Sequence, residues 1–103
     1  MRKIAIICGG YSGEYEISIN SAKVVKKNLD STLYDSYLIV IKKGEWYHLT
    51  DDDRHIPVDK NDFSINVDGN KITFDAVFNA VHGIPGENGE ILGYFEMLNI
   101  PYT

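Results

Sequence analysis

Thiols, prolines and long apolar runs are scarce in this sequence, with one cysteine and three prolines in 103 residues. A lone Cys8 excludes an internal disulfide and a cysteine-ligated zinc centre. The amino terminus, Met1-Arg2-Lys3, starts like a secretory signal, but the apolar run behind it covers only residues 4–8. That is shorter than the about 7–15 residues of a signal core or the about 20 of a membrane span. Basic excess is missing too: 10 Lys and Arg face 15 Asp and Glu, for a net charge of −5. The lysines are scattered among acids, which disfavours nucleic acid or an anionic membrane as partner. The chain is expected to be cytoplasmic and soluble.

What is present suits one small folded unit. With 44% apolar and 24% charged residues, the composition is globular rather than disordered. Residues 1–103 are long enough for one domain with a modest core and too short for two.

Local pattern then places the elements. The unbroken apolar run at 4–8 predicts a strand buried on both faces of a parallel sheet. From 15 to 30 the period turns helical: Ile17, Ser21 and Val24 form one row beside Ala22, Val25 and Leu29, with Lys23, Lys26 and Lys27 on the solvated side. Residues 37–41 predict a second strand, which makes one βαβ unit. Lys43-Gly44 predicts a turn and 45–49 a returning strand, whereas polar, proline-punctuated 50–62 reads as loop. Phe63, Ile65 and Val67 alternate, Asp68-Gly69-Asn70 turns, and Ile72 and Phe74 resume the alternation, predicting a hairpin. A strand at 76–81 and a helix at 89–98, with Asn88 as N-cap, complete the pattern. Residues 99–103 look like the start of a further strand, as in a piece of a longer protein.

Two glycine-rich stretches each follow a strand: "GGYSGEYEIS" from Gly9 and "HGIPGENG" from His82. If both strands run parallel in one sheet, both loops leave its carboxyl edge, where open α/β sheets bind ligands. The first stretch fails the dinucleotide fingerprint, having Tyr11 where a glycine is required, and it lacks the lysine of a phosphate-binding P-loop. Two readings of Glu14 and Glu16 stand side by side. As acids at a helix start they complement its positive end, worth about 0.3–1 kcal/mol each. Beside three glycines at a ligand edge, a carboxylate also suits a cation such as a substrate ammonium. At about 4 Å that pair gains about 4 kcal/mol at an effective dielectric near 20, before desolvation.

His82 likewise either bonds neighbouring backbone or meets a ligand, and Gly83, Gly86 and Gly89 would let backbone come close to one. Glu87 reads as a partner for loop amides. Elsewhere, Asp51 to Asp53 lack the spacing of a calcium loop, and His48 and His55 that of a zinc site. Trp46 and Tyr47 read as hairpin packing, and Cys8 as a small core residue.

Taken together, these residues resemble the amino-terminal domain of the D-alanine–D-alanine ligases, which are ATP-grasp enzymes. "GGYSGEYEIS" is similar to that family's S-x-E-x-E-[VI]-S signature, "HGIPGENGEILGYFE" resembles its H-G-x-x-G-E-[DN]-G signature, and "IPYT" matches the segment leaving the domain. Leu92 departs from a frequent glutamine and Tyr15 from a frequent basic residue. The resemblance implies an α/β, Rossmann-like pre-ATP-grasp domain with a mostly parallel sheet flanked by helices and a β-hairpin insertion.

It also implies an activity. ATP activates the carboxylate of one D-alanine, and the amine of a second attacks it, giving a peptidoglycan precursor for the cell wall. By the same resemblance Glu14 accepts the ammonium of the first D-alanine, Ile17 packs on its methyl, and His82 lies by its carboxylate and the acyl phosphate. ATP and Mg2+ or Mn2+ would be held by the full-length parent, a homodimer, with no metal ligand and no activity expected in 1–103 alone. Two alternatives remain: the same domain from a D-alanine–D-lactate or D-alanine–D-serine ligase, and a stand-alone Rossmann-like module for a small ligand.

Overall fold

Alternation and turn chemistry build most of this domain. The computed structural model describes residues 1–10, 15–80 and 90–103. In chain order these form β1 (Arg2–Gly9), α1 (Tyr15–Asn28), β2 (Tyr34–Lys42), β3 (Glu45–Leu49) and β4 (His55–Asp59). β5 (Ser64–Val67), β6 (Asn70–Ile72), β7 (Ala76–Asn79) and α2 (Glu90–Met97) follow. None of the described helices is long and apolar enough to cross a membrane.

The strands make one sheet in the order β6-β5-β4-β3-β2-β1-β7. β1 sits between β2 and β7 and is parallel to both. Every pairing from β2 through to β6 is antiparallel. The expectation of a mostly parallel sheet is therefore corrected: the sheet is mixed, with a parallel centre and an antiparallel wing. The cause is connection length. A helix can cross over between parallel neighbours, while turns as short as Lys43-Gly44 only let the chain double back. The hairpin is likewise no separate insertion but the end of that wing. Its turn is tight, since Val67 pairs with Asn70 and both Asp68 (φ 51°) and Gly69 (φ 84°) are left-handed. Those angles suit the type I′ hairpin turn.

A second correction concerns 50–62, which was expected to be loop but contains β4. His55 to Pro57 pair with β3, and Val58 and Asp59 pair with β5. Pro57 thus stands where the strand changes partner, a position that tolerates the missing N–H.

The two faces of β1 bury different layers. Ile6 and Cys8 pack with Ala22 of α1, and Ala5 and Ile7 pack with Ile91 and Phe95 of α2. The helices therefore lie on opposite faces. On the α2 side the antiparallel wing curls into the same core through Phe63, whose ring meets those of Phe95 at 4.8 Å and Phe74 at 5.4 Å. Trp46 joins this cluster edge-on to Tyr94 of α2, so it packs between the wing and that helix as well as against its hairpin neighbours.

On α1 one of the two expected rows faces outward. Ser18 and Ala22 are fully buried, with Val25 and Leu29 half-buried, whereas Ile17 and Val24 are each 59% exposed. A helix lying on a sheet covers only one stripe, and Ser18 rather than Ile17 lies on it. Lys26 also leaves the solvated side: its ammonium donates to the Ser36 carbonyl.

Candidate functional site

The site is built from the carboxyl ends of β1 and β7. Ile4 to Ile7 lie in register beside Ala76 to Asn79, so the two strands are parallel neighbours, as the motif positions require. From β1 the chain passes through α1 to β2 on one side. Beyond β7 it passes through α2 and returns at Tyr102, which bridges Val77 in parallel on the other side. That divergence is a topological switch point, the place where open α/β sheets hold ligands.

Both candidate loops leave from here. Residues 11–14 follow β1 and 81–89 follow β7, so Glu14 and His82 lie outside the described residues. So do Glu87, Asn88 and the glycines at 13, 83, 86 and 89. Ile17 is described: it sits in the first turn of α1 with its side chain largely exposed. Glu16 is exposed in the same turn.

The described residues around the strand ends are tightly tied. Gly9 has φ 91° and Gly10 φ 117°. A Cβ on Gly9 would lie 2.6 Å from the Ile41 carbonyl oxygen and 3.2 Å from the Tyr15 ring. The Gly9 N–H donates to Ser18 Oγ at 2.9 Å, and the Gly10 N–H donates to the Ile41 carbonyl at 2.7 Å. Neither amide is left to face an anion. Gly9 thus serves close packing, and neither glycine offers a phosphate cradle, which agrees with the acids that follow them.

Three further side chains act at this end in contacts that the sequence pattern does not assign them. Ser18 Oγ donates in turn to the Ala80 carbonyl. The Tyr15 and Tyr47 hydroxyls bond at 2.8 Å, which fixes the start of α1 to β3. Tyr47 is buried and stacks on His55, and its burial holds the phenol well above its ordinary range. Ser18 did leave a sequence signal, because it continues the buried row of Ala22, Val25 and Leu29 by one turn. A hydroxyl on such a row needs internal partners.

Cys8, one residue before Gly9, is fully buried, and burial pushes its thiol up to about 12. The thiolate that reacts with electrophiles is thus nearly absent at neutral pH. Iodoacetamide at pH 8 is expected to leave Cys8 unmodified in the folded chain and to alkylate it fully in denaturant. Mass spectrometry showing prompt modification without denaturant would contradict that burial.

Among the described residues, a groove of about 410 Å3, lined by Asp35, Ser36, His48 and Arg54 among others, opens by the amino end of β2. His48 there donates from Nδ1 to the Leu38 carbonyl, and desolvation holds its pKa below the usual imidazole value. Among the described residues no three His, Cys, Asp or Glu side chains gather as a metal site.

Comparison with known proteins bears on the same elements. The family model for the D-Ala–D-Ala ligase N-terminus matches residues 3–103. The D-alanine–D-alanine ligase of Christiangramia forsetii is 50% identical over 102 residues, which cover 99% of this chain and 31% of that relative. The Flavobacterium johnsoniae ligase is 52% identical, covering 100% of this chain and 32% of that relative. The chain thus spans a little under a third of these relatives' length. Among solved structures, D-alanyl-alanine synthetase A of Vibrio cholerae superposes with a TM-score of 0.82 at 31% identity, covering 99% of this chain and 30% of that one. The VanG D-Ala:D-Ser ligase of Enterococcus faecalis gives 0.81 at 34%, covering 98% and 35%. Because the match runs from Lys3 to Thr103, through every element of the sheet and both helices, the chain belongs to the D-Ala–D-Ala ligase N-terminus family.

Proposed function

We propose that this chain is the amino-terminal, Rossmann-like pre-ATP-grasp domain of an ATP-dependent D-alanine–D-alanine ligase, and that it forms the wall holding the first D-alanine. The observation that carries the reading is the pairing of β1 with β7 in parallel, which sends the loops bearing Glu14 and His82 from one edge. In this reading Glu14 accepts the substrate ammonium, Ile17 meets the methyl, and His82 faces the carboxylate and the charge that develops there. A carboxylate at the ammonium and a hydrogen-bonding imidazole at the other end of a small amino acid would orient its carboxylate for activation.

ATP supplies the activating phosphoryl group, and the amine of a second D-alanine displaces it to give the dipeptide for peptidoglycan. ATP and Mg2+ or Mn2+ are proposed to be held by segments of a full-length parent beyond these residues, as the family resemblance implies, and the Gly9 and Gly10 amides are already bonded within the chain. That protein is proposed to be cytoplasmic and a homodimer.

The test uses the full-length protein with ATP, Mg2+ and D-alanine. The expected result is ADP release that depends on D-alanine, with D-alanyl-D-alanine in the mass spectrum and no product from residues 1–103 alone. ATP turnover indifferent to D-alanine, or dipeptide formed by 1–103 alone, would overturn the reading. The close likeness to the VanG D-Ala:D-Ser ligase supports a second reading, with D-serine as acceptor. Offering D-alanine with D-serine or D-lactate, and weighing the mixed products, separates the two.

A further inference from the structure

We infer that Ser18 is a positioning residue that ties together, through one buried hydroxyl, the backbone at Gly9 and Ala80, from which residues 11–14 and 81–89 continue. The inference rests on the ligase reading for its effect on activity, but not for the clamp itself. Ser18 is fully buried on α1 and faces the seam between β1 and β7. Its oxygen accepts the Gly9 N–H at 2.9 Å, and its hydroxyl proton goes to the Ala80 carbonyl. Gly9 ends β1 two residues before the loop 11–14, and Ala80 immediately precedes the loop 81–89. One hydroxyl therefore fastens both loop roots.

The Ser18 tie adds to the parallel ladder rather than replacing it. Ala80 is held from its other side by its own N–H, which donates to the Ile7 carbonyl at 2.8 Å. The amino end of β7 is pinned separately, where the Lys3 N–H donates to Asp75 Oδ2 at 2.7 Å and the Asp75 N–H donates to the Lys3 carbonyl at 2.8 Å. β7 is thus fixed against β1 at both ends, and at the carboxyl end Ser18 adds to the Ala80–Ile7 ladder bond a side-chain link from Ala80 to Gly9. A hydroxyl does this because it donates and accepts at once, which no apolar side chain of that size can do. If Glu14 and His82 grip opposite ends of one amino acid, their separation depends on how the two roots sit, and Ser18 sets that spacing.

The experiment compares wild-type full-length protein with Ser18→Ala. Hydrogen exchange is followed by mass spectrometry on peptides covering 11–14 and 81–89, alongside steady-state kinetics. Exchange should rise in both loops together. A displacement near 1 Å lowers kcat/KM for D-alanine about 10- to 100-fold, with the KM for ATP unchanged. Should the alanine protein not fold, Ser18→Cys carries the test, being nearly isosteric with a weakly bonding thiol. Faster exchange in only one loop would overturn the clamp. So would a loss of kcat/KM no larger than the loss of folded protein, which is what a merely structural serine gives. If wild-type protein makes no dipeptide, the ligase reading falls, and the exchange measurement alone then decides the clamp.

Discussion

Gly9→Ala lowers the unfolding free energy of the chain by about 2–6 kcal/mol, combining about 1–3 for backbone strain with about 1–3 for overpacking. Two separate penalties meet at this position. The φ of 91° is one that side chains rarely adopt, and the added methyl would sit 2.6 Å from the Ile41 carbonyl oxygen. That oxygen cannot simply retreat, because it accepts the Gly10 N–H at 2.7 Å. A control separates the two costs. Gly44 has φ 84° and nothing within 4 Å of its added Cβ, so Gly44→Ala carries strain alone, about 1–2 kcal/mol. Urea unfolding followed by the single tryptophan, Trp46, measures both, since its ring lies among Phe63 and Tyr94. Equal costs at the two glycines would mean that close approach does not explain Gly9.

The parts legible in the sequence are those governed by near neighbours. β3 falls on the same residues as expected, because Lys43-Gly44 marks its start and Thr50 its end. The Asp68-Gly69 hairpin follows from residues that tolerate positive φ between alternating apolar positions. β1 and β7 as parallel neighbours were legible only through the motifs, since two glycine loops that share a ligand must share an edge.

What escaped depends on partners far along the chain. Nothing in 50–62 announces β4, whose half-buried Ile56 and Val58 are separated by Pro57 and flanked by exposed residues. Whether strands pair in parallel or antiparallel is set by the whole path, and a short turn by itself does not show that its hairpin joins one continuous wing. The outward turn of Ile17 on α1 has a similar origin. An apolar residue in a helix looks like core until the sheet decides which stripe it covers, and here the stripe runs through Ser18. The site shows the same division. Glu14, Ile17, His82 and Ser18 all lie in the motifs, while the bonds that Ser18 makes and the Tyr15–Tyr47 bond depend on which strands lie under the helix.

In the full-length protein, Glu14→Gln should weaken binding of the first D-alanine roughly 10- to 150-fold, the equivalent of a charge-assisted hydrogen bond worth about 1.5–3 kcal/mol. Glutamine keeps the shape and a carbonyl oxygen but loses the charge that faces an ammonium. Glu16 provides the comparison, two residues away. It is exposed in the first turn of α1, where a carboxylate complements the helix dipole by about 0.3–1 kcal/mol without reaching substrate. Glu16→Gln should therefore lower stability slightly and leave D-alanine affinity close to wild type. Calorimetric titration with D-alanine reads both, and thermal melting shows whether each variant remains folded. Equal losses of affinity would mean that the loop's overall charge attracts the substrate and no single carboxylate grips it. If Glu14→Gln binds as well as wild type, Glu14 is no ammonium partner, and the first two glycines then open a loop that holds something other than an amine.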